Sequence, residues 1–180
     1  MIQPEPLIPA PSAESADSAE SPFTATVERD DANHTWLVRQ DGQRWRVDED
    51  DGALWSAFAG RRVELSGARV DGPAGETRFR VDRLTTSDED AVWRELGPAR
   101  RRKGTISIAA GEPGSKMADE TWPIFTPASG GPSYQLANHV ELAGLVGRPV
   151  ELRARTITRS PFTAHMPGPT LWVLELAPAP

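Results

Sequence analysis

"GRRVELSG" (Gly60–Gly67) and "GRPVELRA" (Gly147–Ala154) are nearly the same phrase, and Gly147 lies 87 positions after Gly60. The likeness extends outward. The same shift sets Asp51 against Asn138, Trp55 against Leu142, Phe58 against Leu145, Val63 against Val150 and Leu65 against Leu152. Asp and Asn are good helix N-caps because their side-chain oxygens accept from the first free amides. Asn138 followed by Glu141 has the spacing of a capping box. Gly60 and Gly147 suit the left-handed position just past a helix end. Each copy therefore predicts a short helix, closed at both ends, running directly into a strand.

Around the first helix the apolar residues alternate. "TATVE" (24–28) reads as a strand, and "TWLVRQDGQRWRV" (35–47) as two strands around Asp41-Gly42, a two-residue hairpin signal. In that register Val38 shares a face with Trp45, and Trp36 with Val47, which makes this face the core. After the helix come "RRVELSGARV" and "TRFRVDRL". The second copy follows the same plan with "GTISI", "TWPIF", "SYQLA", the helix from Asn138, "RPVELRARTI" and "TLWVLEL". Pro123 marks an edge or a bulge, because proline cannot donate to a ladder. The expected core of the first copy is Trp36, Trp45, Val63, Leu65, Phe79 and Val81; that of the second is Trp122, Val150, Leu152, Trp172 and Leu174.

Strand-strand-strand-helix-strand-strand, with a glycine ending the helix ahead of an alternating "VEL" strand, resembles the OB-fold and small bacterial OB-like domains. The resemblance covers residues 22–86 well and 104–180 less closely. It implies an all-β chain of two tandem five-stranded Greek-key barrels, each with its capped helix between strands three and four. A single β-sandwich does not explain two capped helices in register. Residues 1–21 carry Pro, Ala, Ser and acids but no Lys or Arg, the composition of a disordered tail. Leu7 and Ile8 are a small apolar spot within it. Residues 87–103, "SDEDAVWRELGPARRRK", predict a helical linker. Ser87 and three acids stand at its start, Gly97-Pro98 stops it, and Val92, Trp93 and Leu96 pack on the barrels.

Such motifs carry fold rather than chemistry. The chain has no cysteine, which excludes disulfides, thiolate metal sites and cysteine nucleophiles. His34, His139 and His165 match no metal-ligand or triad spacing. "DEDDG" (48–52) departs from a calcium loop, whose twelfth position falls on Ala59. "GEPGSK" (111–116) lacks the phosphate-loop spacing, and the sequon at Asn33 is without consequence in a chain that shows no secretory signal. No catalytic residue, cofactor or metal is therefore expected.

The expected location is the cytoplasm, since no apolar run is long enough to cross a bilayer and the N-terminus lacks a signal pattern. A net charge of −6 opposes non-specific nucleic-acid binding. The outer face of strands two, three and five nevertheless collects Arg39, Arg44, Arg46, Arg78 and Arg80. On an OB-fold this face would grip single-stranded nucleic acid. The flanking loops "DDANH" and "DGPAGE" are acidic, and the aromatics are expected to point inward. The loop Arg159–Pro169 holds Phe162, His165 and Met166 among prolines. It reads either as a lid on its own barrel or as the contact with another protein or multiprotein complex. The leading expectation is a non-catalytic adaptor or structural subunit. The alternative is a single-stranded nucleic-acid binder that uses the arginine face.

Overall fold

The computed structural model describes residues 19–49, 51–116, 118–138, 141–159 and 169–180. Alternating residues build β1 (Ala19–Arg29), β2 (Thr35–Val38), β3 (Arg44–Val47), β4 (Arg62–Asp71) and β5 (Thr77–Thr85), with the short helix α1 (Gly52–Ser56) between β3 and β4. β1 pairs with β2 and β4, β2 with β3, and β4 with β5, all antiparallel. A short parallel pairing, Arg46 with Arg78 and Val47 with Phe79, joins β3 to β5 and closes a five-stranded barrel. Trp45, Val63, Leu65, Phe79 and Val81 are buried in it as expected. Trp55 and Phe58 of the α1 segment close it with no exposed surface. A closed barrel leaves no free strand edge.

The β2–β3 hairpin departs from its expected register. Arg39 N donates to Gln43 O (2.8 Å) and Arg39 O accepts from Gly42 N (3.0 Å), and only Gly42 of the turn has a positive φ, +83°. This is a three-residue loop ending on a left-handed glycine, not the two-residue turn read from Asp41-Gly42. The extra residue moves β2 by one position, so Leu37 faces Trp45 across the ladder and Trp36 faces Arg46. A one-residue slip exchanges the faces of a strand. Leu37 is accordingly buried, while Trp36 and Val38 lie on the outer face and are only partly covered.

The remaining strands are β6 (Trp93–Ala110), β7 (Thr121–Pro127), β8 (Tyr134–Leu136), β9 (Pro149–Arg159) and β10 (Thr170–Pro178). They pair β6 with β7, β7 with β8, β8 with β10 in parallel, β10 with β9, and β9 back to β6. Val150, Leu152 and Trp172 are buried, whereas Trp122 and Leu174 are only partly so. The duplicated phrase has duplicated geometry. Gly60 (φ +76°) donates to the carbonyl of Val27, and Gly147 (φ +77°) to that of Ile106, each at 2.8 Å.

Two expected helices are not found. In the second copy the described residues 141–147 hold no helix: 143–145 and 147 are turns, and Val146 is an isolated bridge residue. Gly144 takes φ +71° at the position matching Ala57 (φ −67°), so no helical conformation continues through it toward Gly147. Asn138 does not cap. Its amide donates to Val173 O (2.7 Å) and accepts from Val173 N (2.8 Å), joining it to β10.

The helical linker is likewise replaced by strand β6, eighteen residues long. Trp93 and Leu96 are buried on it with Ile157 and Trp172, and its backbone pairs with β5 on one side and β9 on the other. Two sets of ladder bonds outweigh the weak helical preference of so short a segment. Gly97-Pro98 sits at a register shift between Leu96 and Ala99, a bulge rather than a helix stop. Asp88 fixes a turn ahead of β6, where Ala91 N also bonds Asp88 O at 3.2 Å. Its side chain accepts from Asp90 N (3.0 Å) and pairs with Arg61.

Candidate functional site: two outer faces and the junction between them

The arginine face of β2, β3 and β5 is assembled in part. Arg46 and Arg78 are ladder partners and share Glu76, at 3.8 and 3.1 Å. Arg80 pairs with Asp82 at 3.8 Å. The exposed Arg44 lies over the Trp36 ring, 4.0 Å from its centroid, a cation–π contact. Trp36 is thus an outward aromatic on the cationic face, which the two-residue turn concealed. Arg39 stands apart from this set. Its guanidinium covers Phe23 (5.2 Å) and Trp45 (5.8 Å) at the barrel end and faces Asp41 at 3.9 Å.

The acidic β1–β2 loop is fastened to the same face. The Trp36 indole donates to Asp30 Oδ2 at 2.9 Å; His34 contributes its backbone N–H (2.9 Å) and a ring nitrogen at 3.2 Å. The Trp36 bond, opposed by burial and aided by those from His34, lowers the Asp30 carboxyl from its ordinary value to about 2. This face is therefore a set of charges, most of them paired, around one half-exposed tryptophan.

A second construction lies where the halves meet, and the sequence did not reveal it. Arg155 of β9 is nearly inaccessible, with 3% of its side chain exposed against 13% for Glu49. Its Nε donates to Glu49 Oε2 at 2.7 Å, and a terminal nitrogen lies 2.6 Å from the same oxygen. The terminal nitrogens also donate to Gly97 O (2.9 Å) and Val81 O (2.8 Å). One guanidinium thus ties together the β3–α1 loop, β5, β6 and β9.

Beside it the indole of Trp172, on β10, donates to Asp51 Oδ2 at 2.7 Å, while Asp51 Oδ1 caps α1 by accepting from Leu54 N at 3.0 Å. Glu49 and Asp51 of "DEDDG" therefore both accept from the second half, and Asp51 also caps the helix. The cleft beside them, of about 670 Å³, is walled by Asp48, Asp82, Arg80 and Arg153 among others. The excess of acids over what one cap requires was the available signal. Spacing alone does not identify a partner 106 positions away.

The second half presents a different outer surface. Ile108 and Val146 are 47% and 45% exposed, and Trp122 and Leu142 are partly covered. Phe162, His165 and Met166 lie outside the described residues, as do His139, Leu7 and Ile8. Among the described residues no three His, Asp or Glu side chains gather as a metal site, and no helix is long and apolar enough to cross a membrane. No protein-family model matches the chain, and neither a curated protein nor a solved structure matches it.

Proposed function

We propose that this chain is a non-catalytic adaptor or structural subunit, a rigid body of two OB-like barrels that holds a protein partner within a larger assembly. The observation that carries the reading is the junction. Arg155 and Trp172 of one half are bonded to Glu49 and Asp51 of the other. Interfaces between domains of one chain resemble transient contacts by default, and such domains move relative to one another. A shared buried ion pair and a shared strand β6 instead fix the two halves as one platform. Its two outer faces differ, one of matched charges and one apolar.

The tandem reading is supported by the repeated circuit of strand pairings and by the Gly60 and Gly147 turns, which place the same bond on Val27 and on Ile106. Cross-linking in the native host followed by mass spectrometry tests the adaptor reading. A stoichiometric protein partner is expected, and recovery of the chain alone refutes it.

A second reading, single-stranded nucleic-acid binding, is favoured by one observation: Trp36 is outward with Arg44 stacked on it. A base stacked on Trp36 would take the place of that guanidinium. Against it, Glu76 and Asp82 already stand on Arg46, Arg78 and Arg80. The reading requires salt-dependent oligonucleotide binding that is lost in Trp36→Ala and in Arg44→Ala with Arg46→Ala. Absence of binding at low salt excludes it.

A further inference from the structure

The two halves diverge at one equivalent position. Val27 and Ile106 accept the same glycine N–H, so Arg29 and Ile108, each two residues further along its strand, correspond. Arg29 closes its barrel end. It donates to Gly52 O at 2.9 Å and to Ser56 Oγ, both on α1, and reaches Asn33 O at 3.2 Å. In the second half this clamp is replaced by an apolar side chain, 47% exposed, and the described residues 141–147 facing it hold no helix.

A groove of about 340 Å³ opens at that point, with Ile108, Trp122, Pro123, Leu136 and Leu142 among its lining residues. Its shape follows from the ladder. β7 is paired along its whole length with β6, but β8 meets it only at Ile124 and Phe125. Beyond that point the chain turns from β7 to β10, where Ala137 N bonds Leu171 O at 2.8 Å. Among the described pairings, Thr121, Trp122 and Pro123 have a strand neighbour on one side only. An extended peptide adds to such an edge by main-chain bonds, with alternate side chains seated in the groove.

The charges around the groove select the occupant. Between Gly111 and Gly147 the sequence carries Glu112, Asp119, Glu120 and Glu141 against Lys116 as its sole Lys or Arg. Glu120 and Glu141 are exposed and directly precede the lining residues Thr121 and Leu142. The volume is near the lower end of ordinary ligand pockets, enough for a few side chains and not for a folded domain. We infer that the β7 edge and the groove at Ile108 bind an extended segment of a protein partner in which apolar residues alternate with Lys or Arg. The inference rests on the adaptor reading and names the surface and the chemistry by which it acts.

The probe is a labelled peptide alternating valine with lysine, titrated into the full chain by fluorescence anisotropy beside a peptide alternating valine with glutamate. The lysine peptide is expected to bind and the glutamate peptide not. Ile108→Gln, at a half-exposed site, should weaken binding by about tenfold or more. Glu120→Lys with Glu141→Lys should do the same without touching the apolar floor. Failure of the lysine peptide to bind, equal binding of both peptides, or full affinity in Ile108→Gln overturns the proposal. The cross-linked partner separates the two levels. A partner retained equally by wild type and Ile108→Gln leaves the adaptor reading standing and removes the groove as its surface. Peptide binding as expected, with no partner recovered from the host, supports the groove and sinks the adaptor reading.

Discussion

Removing the Glu49 carboxylate strands a positive charge that has almost no contact with water. In Glu49→Ala the Arg155 guanidinium loses both contacts to Oε2 and keeps the carbonyls of Gly97 and Val81. Breaking a buried ion pair by deleting one partner costs roughly 3–5 kcal/mol. The two remaining acceptors place this variant near the lower bound, at about 3 kcal/mol. Arg155→Met is the harsher change. It leaves a largely buried carboxylate unpaired and also removes the guanidinium donors to both carbonyls, each at a cost of about 1–3 kcal/mol if nothing replaces them.

The expected order is therefore Arg155→Met worse than Glu49→Ala. The double change Glu49→Leu with Arg155→Met should recover much of the loss, since apolar replacement of a buried pair is often neutral. Urea denaturation of the four proteins closes the cycle and gives a coupling energy directly. For a chain of this size about 3 kcal/mol corresponds to a fall in Tm of roughly 6–12 °C. A loss below about 1 kcal/mol in Glu49→Ala, or strict additivity in the double variant, refutes the claim that this pair joins the halves.

Three further outcomes follow from the same geometry. Asp51→Ala removes the α1 cap and the acceptor of the Trp172 indole together, and should cost about 2–4 kcal/mol in the same denaturation assay. A Cβ added at Gly97 would stand 2.2 Å from Thr156 Oγ1, so Gly97→Ala should destabilise, and Thr156→Ala should restore much of the loss. A Tm unchanged by Gly97→Ala would mean that the β6 bulge tolerates a side chain. Trp36→Phe removes the chief bond that lowers Asp30, so its carboxyl pKa, followed by NMR, should rise from about 2 toward 3.8. Because that pKa is depressed in the folded state, the stability it contributes is present above pH 3.8 and disappears as the pH falls toward 2. Trp36→Phe should flatten that acid limb, and an unmoved Asp30 would place the cause elsewhere.

The strands were legible where alternation was strict. "RRVELSG" and "RPVELRA" each place Val and Leu inward, and all four residues are buried. The faces of β2 were not legible, because Asp41-Gly42 fits either a two-residue or a three-residue turn and one residue of difference exchanges them. The linker was misread because its acids, apolar pair and Gly-Pro are local signals for a helix, while the ladder that makes it a strand lies in distant β9. The second helix is not found in the described residues 141–147, where Gly144 is left-handed and its counterpart Ala57 is right-handed, a difference of conformation that the repeat of the phrase does not carry. For the candidate sites, the arginines of β3 and β5 were visible as a face, but their acid partners and the outward Trp36 depended on the register. The junction was invisible for a simpler reason: Arg155 looks like any outward arginine on an alternating strand until the barrel of β1–β5 is placed against it.

The order in which the chain is synthesised gives the junction a further meaning. Domains emerging from the ribosome generally fold as units, the N-terminal one first. Here Glu49 and Asp51 lack their partners until Arg155 and Trp172 have emerged, 106 and 121 positions later. β5 likewise lacks its β6 partner until the linker has emerged. A nascent first half would therefore hold Glu49 and Asp51 in water over that interval, well after Leu84 and Thr85 at the end of β5 have met Leu96 and Glu95. The two uncompensated carboxylates would then act as a guard, since charge beside a strand end resists pairing with other chains.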